Sequence, residues 1–350
     1  MKRIAFFQND LKVGGIQKAL INLLHGISSQ EYEVDVYLFN KNSFYQTKLP
    51  DNIRFYYLKP LPYWNRFIYF DMLKLFVGHR YCINKEYDVA VDFCSYANEC
   101  SLATLSVPSK KRIMWIHNDM SIKRREEFKY RTLFHFFKNK FKYFDAFVAV
   151  SEGIVLPFRN ETGIMEKPVT VIPNIINTAE IIEKSKEPVS FHVDQSKLNL
   201  VSVGRLCHQK GYDILLKDIA DVVKKRQDIH LYIIGDGPEF QTLKKIVEQE
   251  ALLKYVTFLG NQENPYAYMS QMDAFVLESR YEGQGIVFWE ALALGLPIIM
   301  PKRLEKYNEG LIGTENVAER ILQLKKTTKS PNTLTDYNKN SINKINLLFS

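Results

Sequence analysis

Short, nearly continuous apolar runs recur along the chain, separated by longer segments whose apolar residues return every three or four positions. In the first half the short runs are RIAFFQ, VDVYLF, IRFYYL, DVAVDF, RIMWIH, AFVAVS and VTVIP. Such runs are the mark of strands buried on both faces of a parallel sheet. GGIQKALINLLHGI has helical spacing instead. Between residues 181 and 197 the sequence turns polar and loses its period, which predicts a linker. The alternation then restarts with LNLVSVG, GYDILLKDIADVVKK, IHLYIIG, PEFQTLKKIVEQEALL, VTFLG, AFVLES, IVFWEALALG and PIIM. The pattern predicts two doubly wound α/β domains, 1–180 and 198–330, facing each other across a cleft, with a closing segment 331–350. In sheets of this kind ligands sit outside the carboxyl ends of the strands, so functional residues are expected just after them.

A length of 350 residues fits two domains, because single cores stop growing at about 250–300 residues. The four cysteines, Cys82, Cys94, Cys100 and Cys207, show no C-x-x-C pairing and no interleaved histidines, which argues for a reducing compartment and against a zinc site. The opening MKRIAFFQND has an apolar run too short for a signal peptide, and no uninterrupted apolar segment could span a bilayer. The expected location is the cytoplasm.

The formal charge of +8 changes the picture in one place. Basic residues concentrate in KKRIMWIHNDMSIKRREEFKYRTLFHFFKNKFKYF, from Lys110 to Phe144, interleaved with aromatic ones. A helix of this composition can lie on an anionic membrane surface, with Lys123, Arg124, Arg125 and Lys129 toward the headgroups. The same composition also suits a solvated helix face packed on a sheet. Nucleic-acid binding has no supporting helix-turn-helix, zinc-finger or ribonucleoprotein signature. A second aromatic stretch, YWNRFIYFDMLKLFVGHRYC, has helical spacing and reads as a core-facing helix.

Candidate chemistry falls at strand ends. Gly14 and Gly15 follow the first run and open a helix, where glycine permits close backbone approach and free N–H groups suit an anion. A loop needing positive φ explains them equally well. In VSVGRLCHQKGYDILL, Arg205 and Lys210 lie in a short loop bracketed by Gly204 and Gly211, where two cations suit a diphosphate; two solvated surface cations are the alternative. His117 directly follows RIMWI and precedes Asn118 and Asp119, as a ligand contact or as a structural hydrogen-bonder. Glu282 and Glu290 stand eight positions apart around a glycine-flanked turn. The chain has no G-x-x-x-x-G-K-[ST] loop, no G-x-G-x-x-G after its first strand and no Asp-x-Asp, which weakens NTPase, dehydrogenase and metal-carried diphosphate chemistry. A bound diphosphate would be neutralised by Arg205, Lys210 and helix N-terminal amides.

The segments VGRLCHQKGYDILL, YIIGDGPE and YEGQGIVFWEALALGLPII, in this order and spacing, resemble the retaining glycosyltransferases of the family 4, group 1 type, which include bacterial capsule and lipopolysaccharide transferases. The resemblance is densest over Leu198–Pro301, with looser matches at GGIQKALINLL, VAVSEGI and VIPNIIN. It implies the GT-B fold of two Rossmann-like domains, with 331–350 forming a helix that crosses back onto the first. Glu282 would sit beside the transferred sugar. Gly283, Gln284, Gly285 and Ile286 would present backbone amides to the sugar and diphosphate. Glu290 would accept hydrogen bonds from the donor ribose, since a carboxylate can take both diol hydrogens. Arg205 and Lys210 would hold the diphosphate and stabilise the leaving group. Gly15 would approach the phosphates from the other domain, and His117 would contact the donor sugar without acting as general base.

The implied reaction is metal-independent transfer from a nucleotide sugar, a substrate and not a cofactor. The acceptor would be a lipid-linked oligosaccharide or other surface glycan at the inner face of the membrane. A sugar-nucleotide epimerase of the same fold and a non-catalytic partner of another transferase are the rivals. The segment MPKRLEKYNEGLIG departs from the Gly-Gly turn common at this point in the family, which leaves the role of residues 301–313 open.

Overall fold

The computed structural model describes residues 1–12, 14–27, 31–41, 49, 51–59, 81, 83–189 and 191–350. Most of the aromatic stretch from Tyr63 to Cys82 lies outside them. The described chain divides into two compact units, Met1–Ile175 with Asp336–Ser350, and Ile176–Thr335.

The first unit is a seven-stranded parallel sheet built from β1 (Lys2–Gln8), β2 (Tyr32–Leu38), β3 (Ile53–Tyr57), β4 (Tyr87–Asp92), β5 (Ser109–Ile116), β6 (Ala146–Ala149) and β7 (Val169–Val171), in the order β3-β2-β1-β4-β5-β6-β7. Residues 4–8 of β1 and 89–92 of β4 are all buried, as both-face burial demands. The sheet order reverses between β1 and β4, a topological switch point. The closing helix, Thr335–Phe349, belongs to this unit from Asp336 onward. Phe349 meets Phe6 and Tyr32 edge-on. Lys2 Nζ and Lys111 Nζ donate to the carbonyls of Phe349 and Leu348 at 3.1 and 2.8 Å, cations placed at the negative end of the helix.

The second unit is a five-stranded parallel sheet of β8 (Leu198–Val203), β9 (Ile229–Ile234), β10 (Val256–Gly260), β11 (Ala274–Val276) and β12 (Ile298–Ile299), ordered β10-β9-β8-β11-β12. Its switch point lies between β8 and β11. The helix Tyr212–Val223 returns from β8 and buries Leu215, Leu216, Ile219, Ala220 and Val222 along one stripe.

Two expectations are corrected. Residues 181–197 are not a free linker. The helix Thr178–Lys184 starts from an Asn177 cap and is tied to the second unit, where Asn264 Nδ2 donates to the Lys184 carbonyl (2.8 Å) and Ser270 Oγ to that of Ser185 (3.1 Å). Ile181 is buried and Phe191 packs on Tyr232 and Tyr268, but these isolated apolar anchors set up no period to read.

The stretch Lys110–Phe144 is not one helix. It begins inside β5, continues as helices Met120–Glu126 and Phe128–Phe137, and ends in a 3-10 turn. Lys123, Arg124 and Arg125 pair with Glu127, Glu161 and Glu126 at 2.9, 2.8 and 3.1 Å. The side chain of Lys129 lies outside the described residues. No helix among the described residues is long and apolar enough to cross a membrane.

Candidate active site

The carboxyl ends of β8 and β11 carry most of the candidate chemistry, each side chain placed by a loop that glycine makes possible. After β8 the chain passes Gly204 and Arg205, makes a 3-10 turn at His208–Lys210 and enters its helix through Gly211, at φ +63°. A Cβ on Gly211 would stand 2.1 Å from the Glu278 carbonyl oxygen, so this loop lies flush against the segment after β11. The two segments are knitted together. The Arg280 amide donates to the Gln209 carbonyl (2.8 Å), Gln209 Nε2 to the Tyr281 carbonyl (3.1 Å), and the Arg280 guanidinium grips Asp213 with two bonds of 2.8 and 2.7 Å.

This contact brings Lys210 and Glu282 together. Lys210 Nζ lies 2.6 Å from Glu282 Oε1, with side chains 18% and 6% exposed, and Ser279 Oγ donates to the same oxygen at 2.7 Å. Arg205 is exposed, and among the described residues its guanidinium has no hydrogen-bond or ion-pair partner. The pair and the exposed cation thus sit at the switch point, where bound anions gather in such sheets. Glu290 is buried on the helix Ile286–Ala293 and accepts from Tyr266 Oη at 2.7 Å, which fixes its carboxylate. Gly283, Gly285 and Ile286 are buried at the start of that helix. The Gly285 amide donates to Asn308 Oδ1 at 3.1 Å, so it is already engaged, unlike the open amide expected of this turn.

In the first unit, His117 follows β5 and is almost wholly buried; its ring stacks obliquely on Phe93, with centroids 4.6 Å apart. Burial pushes its pKa down to about 3, so the imidazole is neutral at ordinary pH. Nε2 has no hydrogen-bond partner among the described residues. Asp119, which follows, caps the next helix by accepting from the amides of Ser121 and Ile122. Gly15 opens its helix, and a Cβ there would meet nothing within 4 Å.

Several participants have no signal in the sequence. Arg303 pairs with the Glu278 carboxylate, and Asp218 is hydrogen-bonded to the same group. Burial, with the Glu278 charge beside it, pushes the Asp218 carboxyl up to about 7; Asp221 adds to the rise and Arg303 opposes it. The folded state therefore holds this proton more tightly than the unfolded chain. The stabilisation is complete below the ordinary carboxyl value of 3.8 and is lost as pH rises to about 7. In Asp218→Asn the amide replaces the protonated acid, so its melting temperature relative to wild type should climb between pH 5 and pH 8. A difference that stays constant across that range contradicts the assignment.

Two family models match the chain nearly end to end: Glycosyltransferase Family 4 over residues 13–180 and Glycosyl transferases group 1 over residues 183–341. An uncharacterised glycosyltransferase of Haemophilus influenzae is 26% identical over 339 residues, which is 92% of this chain and 89% of that protein. One of Methanocaldococcus jannaschii is 24% identical over 214 residues, 60% of this chain, and the match spans about half of that relative's length (53%). A lipopolysaccharide core biosynthesis glycosyltransferase of Rhizobium meliloti is 35% identical over 100 residues, 29% of this chain and 28% of that protein.

Among solved structures, Anabaena HepE in complex with UDP and glucose has a TM-score of 0.67 at 17% identity, covering 100% of this chain and 95% of that one. S. aureus TarM gives 0.66 at 14%, covering 100% and 97%. At these identities the likeness concerns the fold alone, which is GT-B. The chain belongs to the glycosyltransferases of the group 1, family 4 type.

Proposed function

We propose that the protein is a retaining glycosyltransferase that moves a sugar from a nucleoside-diphosphate donor to a glycan acceptor without a metal. The observation that carries this reading is the buried Lys210–Glu282 pair at the β8/β11 switch point, with exposed Arg205 on the same loop. Arg205 and Lys210 take the diphosphate, and their charge offsets the negative charge that grows on the leaving group. Glu282, held by Lys210 and Ser279, faces the sugar. Glu290, oriented by Tyr266, accepts from the ribose hydroxyls. His117, neutral and with Nε2 unpartnered among the described residues, hydrogen-bonds to the donor sugar and carries no charge to it. Gly15, with open space where a Cβ would stand, lets a phosphate come close to its helix.

The acceptor in this proposal is a lipid-linked oligosaccharide of surface-polysaccharide biosynthesis, met at the inner face of the cell membrane. The relative named for lipopolysaccharide core biosynthesis supports that choice. So does the basic first-unit surface: ion pairs as exposed as Arg125–Glu126 hold by about 1 kcal/mol or less, and anionic headgroups can compete for such cations.

The test is NMR-detected turnover with a panel of nucleotide sugars in the presence of EDTA. The expected result is transfer from one donor, with the anomeric configuration of the donor kept in the product. Inversion, a requirement for added Mn²⁺ or Mg²⁺, or conversion of the donor without an acceptor would each overturn the proposal.

A further inference from the structure

The segment after β12 departs from the family's Gly-Gly turn, and in its place stands a brace on the Glu282 loop. Lys302–Tyr307 forms a 3-10 turn that buries Leu304 and Tyr307. Its ends are anchored: the Lys302 amide donates to the Thr314 carbonyl (2.9 Å), the Thr314 amide to that of Met300 (2.8 Å), and the Gly313 amide to Glu305 Oε1 (2.8 Å). From this fixed turn two side chains reach the segment 278–285. The Arg303 guanidinium donates to the carbonyls of Ser279 (Nε, 3.1 Å) and Glu278 (Nη2, 2.9 Å) and pairs with the Glu278 carboxylate. Asn308, fully buried, accepts from the Gly285 amide at 3.1 Å and donates to the Leu304 carbonyl at 3.0 Å. Between these two grips lies Glu282, and Ser279, whose backbone Arg303 holds, donates its hydroxyl to Glu282.

We propose that Arg303 and Asn308 are positioning residues that set the placement of Glu282 from either side of its loop, with Arg303 acting through Ser279. The inference rests on the role given above to Glu282. Arg303 touches no substrate in this scheme. Its planar fork matters because one group holds two carbonyls and a carboxylate at once, which an ammonium on a flexible stem does not reproduce.

Lysine separates the two things Arg303 does. Arg303→Lys keeps a cation beside the buried Glu278 carboxylate, so it should melt close to wild type, while Arg303→Met should not. The lysine variant should still lose about ten-fold in kcat, with the donor KM and the affinity for the free nucleoside diphosphate unchanged within about two-fold. Asn308→Ala, which leaves the Gly285 amide without its acceptor, should shift kcat in the same sense. A crystal structure of Arg303→Lys reads the placement directly, with or without turnover: Ser279 Oγ and Glu282 Oε1 should be drawn apart. Wild-type kcat in Arg303→Lys, or an unmoved Glu282 in its structure, overturns the inference. A wild-type protein that transfers no sugar from any donor strikes the role of Glu282 instead, and the crystal comparison still decides the role of Arg303.

Discussion

Lys210→Ala is expected to lower transfer by about 10²- to 10³-fold, the effect of removing one charge-stabilising donor from a preorganised site. Two consequences follow from a single deletion. The leaving diphosphate loses a cation that the fold holds in place, and Glu282, 6% exposed, loses the partner that compensates its charge. Breaking a buried pair from one side costs about 3–5 kcal/mol. Because the lysine is still reached by solvent, and Ser279 goes on donating to the carboxylate, the low end of that range applies. The double variant Lys210→Met, Glu282→Gln removes both charges and should recover most of the lost melting temperature while remaining inactive. Kinetics and thermal unfolding of the two variants together check this. Equal instability of both would mean that the pair is not coupled, and near-normal turnover of Lys210→Ala would remove the lysine from the site.

Gly211→Ala should be severely damaging to folding. At φ +63° a Cβ costs about 1–2 kcal/mol in any setting. Here it would also lie 2.1 Å from the Glu278 carbonyl oxygen, itself held by Arg303, and neither backbone can yield without breaking the contact that assembles Lys210 with Glu282. Gly260→Ala is the matched control in the same unit: its φ is +67°, and a Cβ would meet nothing within 4 Å. The control should therefore lose only the conformational part, with Gly211→Ala losing several-fold more, as read from denaturant unfolding. Similar losses for the two would mean that the close approach of the loops is not what the glycine serves.

The sheets were legible in the sequence because parallel strands advertise themselves as continuous apolar runs, and each of the short runs from RIAFFQ to PIIM overlaps a strand, except IVFWEALALG, which carries the helix Ile286–Ala293. Lys210 and Glu282 each stand out in the sequence, although nothing in a linear pattern states that residues 72 positions apart are hydrogen-bonded at 2.6 Å. Arg303, Asp218, Tyr266 and Asn308 were not legible for the same reason. Each works through a partner distant in sequence and none stands in a motif. The attachment of the polar 181–197 segment was not legible because its anchors are isolated: Ile181 is buried, Phe191 packs on Tyr232 and Tyr268, and Asn264 and Ser270 bond its carbonyls, none of which makes a period. Within Lys110–Phe144 the strand RIMWIH was legible, but composition alone does not reveal that β5 begins already at Ser109, that the helix breaks at Glu127, or that Glu161 from another helix pairs with Arg124.

The most direct measurement is a calorimetric titration of nucleoside diphosphates into the wild-type protein, Glu290→Gln and Lys210→Ala, in EDTA. The account predicts that one nucleoside diphosphate binds the wild type. Glu290→Gln should weaken that binding by about 1–3 kcal/mol through loss of a charge-assisted bond to the ribose. Lys210→Ala should weaken it further, and the folds of all three proteins should be intact by circular dichroism. Equal affinity across the three, or binding that appears only when a divalent metal is restored, would contradict it.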